Sequence, residues 1–304
     1  MDPRDIRLPS PSELRDLYGI TARRGLGQSY LPNWRILDKI VVYAQLNAET
    51  AVVEVGAGPG YLTARILRRT RHVWAIEYDE RFRAVHEQHL GPLEPPPRFL
   101  YGDALRADWP GLLAQIGDRP YVVMGNIPFQ ITSPLLEVIL NLSPLPQRSV
   151  LLVQREFAER LAARPGRRAY NALTVKTSLV ARVRQVLFVP RQRFSPRPRV
   201  DSAAIVIQPH RQPLIDPSRR PAVFSVIEAC FTQPRKTIVN SLLNSRRFGD
   251  DRRTILAFLS EAAIDPGRRA QTLAIEEFSA LAEAIERHRA GGTDTPHGTE
   301  SAER

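Results

Sequence analysis

Cysteine is nearly absent from the 304-residue chain, since Cys230 is the only one. An intrachain disulfide is therefore impossible, and neither a secreted disulfide framework nor a cysteine-rich metal site fits. Because Cys230 lies in the apolar stretch 226–231, we expect it to be a buried helix residue. The chain also lacks an apolar run of the ~18 residues that a membrane span needs. Its acidic N-terminal residues do not suit a signal or transit peptide, so we expect a cytoplasmic protein with no membrane association.

Lysine is also scarce. Only three of the 43 basic residues are lysines, and arginine supplies the rest of the positive charge behind the formal net charge of +11. Codon bias alone can produce such an imbalance, so the distribution of charge is more informative than the total. Residues 182–253 contain fifteen basic residues and only five acidic ones. Phe194 and Phe231 lie within this stretch, and stacking combined with phosphate contacts is typical of binding to structured RNA. The alternative interpretation of these basic residues is a solvated arginine-rich surface that does not bind RNA.

The remaining composition is that of a globular protein with 43% hydrophobic and 25% charged residues. A chain of this length can form one large domain and a smaller one. A β-branched run at 50–55, an apolar run at 73–76 and a short strand pattern at 98–101 alternate with helical patterns, which predicts a βαβαβ arrangement. The pattern therefore favours an open α/β sheet, whose sites form at the carboxyl ends of the strands.

A glycine-rich turn follows the first of these strands. Gly56, Gly58 and Gly60 form a Gly-x-Gly-x-Gly pattern, which differs from the dinucleotide pattern Gly-x-Gly-x-x-Gly. Glu77 ends the second strand, where a carboxylate suits ribose hydroxyls. Asp103 follows the third strand, where an acid can accept a hydrogen bond from an adenine amino group. These residues predict a cofactor that contains adenosine, which leaves nicotinamide dehydrogenases and S-adenosylmethionine methyltransferases as candidates.

The tetrapeptide Asn126-Ile127-Pro128-Phe129 distinguishes these two classes. An exocyclic base amine is a poor nucleophile because its lone pair is conjugated into the ring. The side-chain oxygen of Asn126 and a backbone carbonyl near Pro128 can accept the two amine hydrogens, and Phe129 can stack on an extruded base. A hydride-transfer enzyme has no use for such acceptors, although an ordinary strand-end turn remains the alternative.

The six histidines do not cluster at the predicted strand ends. We therefore expect them to be partly exposed residues of helices and loops.

In combination, these motifs resemble those of the ribosomal RNA adenine dimethyltransferases. The resemblance runs from about residue 25 to 281 and is strongest to the small-subunit subfamily, which dimethylates two adjacent adenosines in a hairpin near the 3′ end of 16S rRNA. The matching segments are Gly-Gln-Ser-Tyr-Leu at 27–31, Glu-Val-Gly-Ala-Gly at 54–58, Ala-Ile-Glu-Tyr-Asp at 75–79, Gly-Asp-Ala at 102–104, the tetrapeptide at 126–129, and longer signatures at 194–203 and 231–242. Ser29 replaces the usual Asn, and Phe129 replaces the frequent Tyr.

The resemblance implies a fold, a cofactor and a set of site residues. The expected fold is α/β: a Rossmann-like methyltransferase sheet of seven strands, the last one antiparallel, with a small C-terminal all-helical domain. The expected cofactor is S-adenosyl-L-methionine, with neither a metal nor a covalent enzyme intermediate. Catalytic roles fall to Asn126, Pro128 and Phe129. Cofactor-binding roles fall to Gln28, Ser29, Leu31, Gly56, Gly58, Glu77, Asp103 and Asn126. RNA-binding roles fall to Phe194, Arg197, Arg199, Arg235 and Lys236.

Two other functions compete with small-subunit dimethylation. Phe129 also occurs in the sister family that methylates 23S rRNA and confers macrolide resistance, although the 231–242 signature is not expected there. A non-catalytic ribosome-assembly or nucleic-acid-binding factor would use the basic surface alone. The expected partner of the enzyme is 16S rRNA or the immature small ribosomal subunit, and we expect the enzyme to act as a monomer.

The predicted organisation has five segments. Residues 1–24 form a partly disordered leader with a short helix at 12–17 capped by Ser12. Residues 25–208 form the methyltransferase domain, 209–217 the linker and 218–289 the helical RNA-binding domain. Residues 290–304 form a polar tail that we expect to be disordered.

Overall fold

The computed structural model describes residues 1–163, 165–167 and 169–291. The chain divides into two compact units, one formed by 1–162 with 180–213 and the other by 163–179 with the chain from 214 onward. The boundaries differ from those predicted, because 163–179 belongs to the second unit and the leader belongs to the first. From residue 292 onward, the predicted tail lies outside the described residues.

The first unit contains a single seven-stranded sheet in the order β3-β2-β1-β4-β5-β7-β6. The strands are β1 (Ala51–Val55), β2 (Val73–Glu77), β3 (Arg98–Tyr101), β4 (Tyr121–Asn126), β5 (Arg148–Gln154), β6 (Ala181–Val189) and β7 (Ser202–Pro209). Strands β1 to β5 pair in parallel, whereas β7 is antiparallel to both β5 and β6. The predicted seven-stranded sheet with an antiparallel last strand is confirmed.

Helices cover the sheet of the first unit. They are α1 (Pro11–Tyr18), α2 (Trp34–Ala44), α3 (Tyr61–Ile66), α4 (Arg83–His89), α5 (Trp109–Ile116), α6 (Thr132–Asn141) and α7 (Arg155–Leu161). Every residue of β1 is buried, as expected of a central parallel strand that is covered on both faces. Ile40 of α2, Val52 of β1 and Met124 of β4 belong to one hydrophobic core cluster, which fixes the strand ends that carry the site.

The leader is folded, and its helix begins earlier than predicted. Ser10 rather than Ser12 caps α1: the Ser10 hydroxyl accepts the Glu13 N–H at 3.3 Å, and the Glu13 carboxylate accepts the Ser10 N–H at 2.7 Å. This reciprocal capping box favours a start at Pro11, which suits the first helical position. Leu14 is fully buried in a cluster with Phe82, so the leader is part of the first unit.

The second unit is helical. Its helices are α8 (Ala172–Val180), α9 (Arg220–Cys230), α10 (Ile238–Ser245), α11 (Arg252–Glu261) and α12 (Ile275–Gly291). Cys230 is buried at the end of α9, as expected. Helix α8 was not predicted; Lys176 on this helix is 2% exposed, and it pairs with Glu228 of α9 at 2.6 Å. Among the described residues, no helix has the length and apolar character needed to cross a membrane.

Candidate cofactor and nucleobase site

A cavity of about 1010 Å³ opens at the carboxyl ends of β1, β2 and β4. This is the edge at which open α/β sheets bind their ligands. Most of the site residues predicted from the sequence line it. These are Gln28, Ser29, Leu31, Gly56, Gly58, Glu77, Asp103, Asn126, Pro128, Phe129, Phe194, Arg197 and Arg199. Arg235 and Lys236 belong to the second unit and are not among its lining residues.

The glycine loop between β1 and α3 needs glycine for its backbone conformation. Gly56, Gly58 and Gly60 have φ values of +75°, +52° and +92°, in the region that side-chain-bearing residues rarely adopt. At Gly60 an added Cβ would also lie 2.8 Å from a terminal methyl group of Leu90, so that side chain would have to shift. The loop therefore presents bare backbone to the cavity, which a ligand can approach closely.

Glu77 and Asp103 lie at the ends of β2 and β3. Glu77 is 6% exposed, and its two oxygens accept the Gly58 N–H at 2.6 Å and the Asp79 N–H at 2.8 Å. Burial raises the pKa of Glu77. The side chain of Asp103 is half-buried, and one of its oxygens accepts the Leu105 N–H at 2.9 Å. Both acids line the cavity, and Glu77 also holds the glycine loop against β2.

Glu54 is a further acid on the cavity wall, and it was not among the predicted site residues. It is fully buried on β1. One of its oxygens accepts the Thr63 hydroxyl at 2.6 Å, whereas the other is buried without a hydrogen-bond partner in the described part of the chain. Burial raises the pKa of Glu54 to about 8, so the carboxyl is largely protonated at neutral pH.

Replacing Glu54 with Gln is expected to flatten the dependence of stability on pH. With a folded pKa of about 8 against an ordinary pKa of 4.5 for a free glutamate, the folded state binds more protons than the unfolded state between these values, so the free energy of unfolding falls as pH rises through this range. A non-ionisable Gln removes that loss, which amounts to roughly 3–5 kcal/mol at most. Urea unfolding of both proteins at pH 5, 7 and 9 measures how the free energy of unfolding depends on pH.

The matched control is Glu49→Gln, because Glu49 is exposed in the same unit. Its unfolding free energy should follow that of the unsubstituted protein at each pH. Parallel curves for Glu54→Gln and the unsubstituted protein would show that Glu54 ionises normally.

Gln28 organises the segment before α2. Its amide nitrogen donates to an Asp79 carboxylate oxygen at 2.8 Å. Its amide oxygen accepts the Arg23 N–H at 2.7 Å and the Tyr30 hydroxyl at 3.0 Å. The predicted cofactor-binding side chain is thus hydrogen-bonded within the protein through both of its polar atoms, and it holds residues 23–30 at the cavity edge.

Ser29 links three parts of the cavity wall. Its hydroxyl donates to the Pro196 carbonyl at 2.7 Å, and its carbonyl accepts the Asn126 side-chain amide at 3.0 Å. The neighbouring Tyr30 exchanges backbone hydrogen bonds with Ser195 at 2.9 and 2.8 Å. Leu31 is 2% exposed. The segment 28–31 is therefore fixed both to the end of β4 and to the 194–200 segment.

The amide of Asn126 has a defined orientation, because its nitrogen must be the atom that donates to the Ser29 carbonyl. The Asn126 side-chain oxygen is then the free acceptor, with no hydrogen bond among the described residues. The carbonyl of Ile127 likewise accepts no hydrogen bond within that part of the chain, and Ile127 lines the cavity. Two acceptors next to one another in sequence are thus unoccupied at the end of β4.

The Pro128 carbonyl differs from the expectation. It accepts the Ile131 N–H at 3.1 Å and the Thr132 hydroxyl at 3.3 Å. These bonds use both lone pairs of the oxygen at the entrance to α6. The neighbouring carbonyl without such bonds is that of Ile127, a residue that is itself 2% exposed, and Pro128 turns the chain into the short helical turn Phe129–Ile131.

The aromatic residues near the site differ in exposure. Phe129 is half-buried and lines the cavity. Phe194 also lines it but is 7% exposed and belongs to the core cluster of the first unit. Phe231 packs in the second unit with its ring 6.0 Å from that of Phe278. Phe129 and Phe231 are therefore both half-buried, and of the two only Phe129 lines the cavity. Phe194 is too buried to be the exposed stacking surface that the sequence suggested.

The four basic side chains among the predicted RNA-binding residues are exposed, whereas Phe194 is buried. Arg197 and Arg199 line the cavity, and neither guanidinium pairs with a carboxylate in the described part of the chain. Arg235 and Lys236 are similarly free of carboxylate partners among the described residues, although in the second unit. Such cations are available to phosphates.

His86 contradicts the expectation that the histidines are partly exposed, because it is 1% exposed on α4. One ring nitrogen, Nε2, lies 2.8 Å from the Gly58 carbonyl, and the other, Nδ1, lies 2.8 Å from the Tyr101 hydroxyl. Burial lowers the pKa of His86 to about 4, so the ring is neutral at pH 7. The sequence offered one signal, since His86 follows Val85 on the inward face of α4.

Comparisons with known proteins agree with this geometry. The family model for ribosomal RNA adenine dimethylase matches residues 19–287. A ribosomal RNA small subunit methyltransferase A from Geobacillus sp. is 36% identical, over 93% of this chain and 98% of that protein. Its counterpart from Anoxybacillus flavithermus is 37% identical, over 93% of this chain and 97% of that protein.

Solved structures give the same relationship. A dimethyladenosine transferase from Plasmodium falciparum has a TM-score of 0.71 and 27% identity, over 86% of this chain and 98% of that one. The 23S rRNA methyltransferase ErmE has a TM-score of 0.61 and 28% identity, over 84% and 99%. The family model covers most of the chain, and the relatives match it over nearly their full length. Together with the methyltransferase sheet and the glycine loop described above, these matches show that the chain belongs to the ribosomal RNA adenine dimethylase family.

Proposed function

We propose that the protein uses S-adenosylmethionine to dimethylate N6 of two adjacent adenosines in a hairpin near the 3′ end of 16S rRNA. The observation that carries the proposal is the pair of free acceptors, the Asn126 side-chain oxygen and the Ile127 carbonyl, at the cavity that the glycine loop also lines. The small-subunit relatives at 36% and 37% identity support the choice of substrate. We further propose that it acts in the cytoplasm, as a monomer, on immature small subunits.

The cavity fits the proposed cofactor. The positive-φ glycines leave room for a ligand against the backbone, and the unpartnered oxygen of Glu54 suits a ligand that brings a hydrogen-bonding group. The residues that would hold the cofactor are Gln28, Ser29, Leu31, Glu54, Gly56, Gly58, Glu77, Asp103 and Asn126. When bound, S-adenosylmethionine supplies an electrophilic methyl group on its sulfonium.

The chain's own residues act on the adenine amine. Asn126 and the Ile127 carbonyl accept its two hydrogens, which favours a tetrahedral nitrogen over the planar ground state and so stabilises the transition state selectively. Phe129 stacks on the extruded base and holds it in line with the methyl group, which removes much of the entropic cost of bringing two reactants together. A strong general base is unnecessary, because the nitrogen becomes acidic once it is alkylated.

One assay tests the proposal against its two competitors. Purified protein is incubated with methyl-labelled S-adenosylmethionine and either small ribosomal subunits that lack the modification or free large-subunit RNA. We expect label on adenosines of the small-subunit rRNA only. Label on large-subunit RNA would indicate the resistance-type activity, and label on neither substrate would indicate a non-catalytic factor.

Arg197 and Arg199 are expected to contact RNA phosphates. Replacing both with Ala should weaken binding to small-subunit RNA ~10-fold and reduce the dependence of log Kd on log salt by ~2, because each phosphate contact releases counterions. Filter binding across a salt series measures both quantities. The control is Arg106→Ala with Arg119→Ala, which removes the same charge at exposed positions outside the cavity lining. Equal losses from the two pairs would show a general charge effect instead.

A further inference from the structure

The Gly58 peptide of the glycine loop is bound on both sides by side chains. Its N–H donates to Glu77 at 2.6 Å, and its carbonyl lies 2.8 Å from Nε2 of His86. Both side chains are more than nine-tenths buried. The loop conformation is therefore fixed by two residues outside the loop, one at the end of β2 and one on α4.

His86 also contacts the opposite side of the cofactor site. Its Nδ1 lies 2.8 Å from the hydroxyl of Tyr101, the last residue of β3, which directly precedes Gly102 and Asp103. Because a carbonyl can only accept, Nε2 must carry the hydrogen, and in the neutral ring Nδ1 then accepts from Tyr101. The imidazole thus connects the glycine loop to the turn that carries the predicted adenine contact.

The position of the His86 ring is itself constrained. It stacks on Phe99 with ring centroids 3.8 Å apart and an angle of 10° between the planes. Phe82 stacks at a centroid distance of 6.1 Å. A ring held in this way loses little conformational freedom when it forms its two hydrogen bonds.

From this geometry we infer that His86 is a positioning residue for the cofactor, which sets the glycine loop and the adenine turn at the separation that S-adenosylmethionine requires. His86 is not among the cavity-lining residues, so it acts through Gly58 and Tyr101. The inference rests on the proposed cofactor but not on the RNA substrate.

The first test is direct binding of S-adenosylmethionine by calorimetry, in the absence of RNA. His86→Phe keeps an aromatic ring for the stack on Phe99 and removes both hydrogen bonds. We expect Kd to rise ~10-fold, the scale of one lost hydrogen bond to a fixed group. In the methylation assay, KM for the cofactor should rise similarly, while kcat at saturating cofactor stays within ~3-fold.

The matched control is His89→Phe on the same helix, since His89 is half-exposed and bonds to Tyr18 rather than to the loop. It should leave Kd unchanged. If His86→Phe binds the cofactor as tightly as the unsubstituted protein, or if both variants weaken binding equally, the inference is wrong.

Two further measurements apply even if His86→Phe does not fold. Tyr101→Phe keeps the ring and removes only the hydroxyl, and it should weaken cofactor binding by ~3-fold. Nitrogen NMR of the unsubstituted, cofactor-free protein at pH 7 should show a neutral His86 with its hydrogen on Nε2. Hydrogen on Nδ1, or unchanged binding by Tyr101→Phe, would overturn the inference. Failure of the RNA assay alone would affect only the proposed substrate.

Discussion

Replacement of Asn126 with Ala is expected to slow methyl transfer by ~10²-fold or more, the scale of losing a preorganised polar contact at the reacting atoms. The variant loses the free side-chain oxygen that accepts an amine hydrogen. It also loses the 3.0 Å bond to the Ser29 carbonyl, which orients that oxygen. Binding of S-adenosylmethionine should change much less, because the glycine loop, Glu77 and Asp103 remain in place. Single-turnover methylation with saturating enzyme measures the chemical step.

The control for this prediction is Ser29→Ala. It removes the hydroxyl bond to the Pro196 carbonyl at 2.7 Å but keeps the backbone carbonyl that orients Asn126. Its single-turnover rate should stay within ~10-fold of the unsubstituted rate. A rate for Asn126→Ala equal to that of the unsubstituted enzyme would exclude the proposed role of Asn126.

Replacement of Gly125 with Ala is expected to destabilise the protein by ~3 kcal/mol or more and to reduce methylation by ~10²-fold. An added Cβ would overlap the Val55 carbonyl on β1 and lie 2.6 Å from the terminal methyl group of Ile127. Because the first obstacle is backbone, β1 and β4 must separate. Asn126 would then move relative to the glycine loop, which follows β1 directly.

Thermal or urea unfolding measures the first effect, and the single-turnover assay measures the second on the fraction that remains folded. Gly25→Ala is the control, because an added Cβ there meets nothing within 4 Å. It should retain both stability and rate. A Gly125→Ala protein with unchanged unfolding and activity would mean that the two strands can shift without disturbing the site.

The strands and the positions of the motifs could be predicted because they depend on local patterns. The β-branched runs before Gly56, Glu77 and Asn126 specify buried strands whatever their neighbours are, and parallel strands bring their carboxyl ends to one edge. The order of the strands, with β7 between β5 and β6, was not predicted.

The remaining features depend on contacts between distant residues. The burial of Glu54, with its raised pKa, requires β1 to be covered on both faces. Helix α8 belongs to the second unit although it precedes β6 in the chain. The short sequence of the helix does not show which unit it packs in. The hydrogen bonds of His86 join α4 to Gly58, which lies 28 residues earlier in the chain, and to Tyr101, which lies 15 residues later. The occupied carbonyl of Pro128 depends on how tightly the chain turns into α6.

Helix α8 affects how the polypeptide can be dissected. A fragment that stops near residue 213 would contain every strand of the sheet together with 163–179, yet it would lack Glu228, the ion-pair partner of Lys176. Val175 and Leu179, both buried in the whole protein, belong to the same unit as the helices that follow residue 214, which the fragment would lack. Such a fragment should aggregate. Expression of the sheet alone would therefore require removal of 163–179 as well, with a linker that joins residue 162 to residue 180.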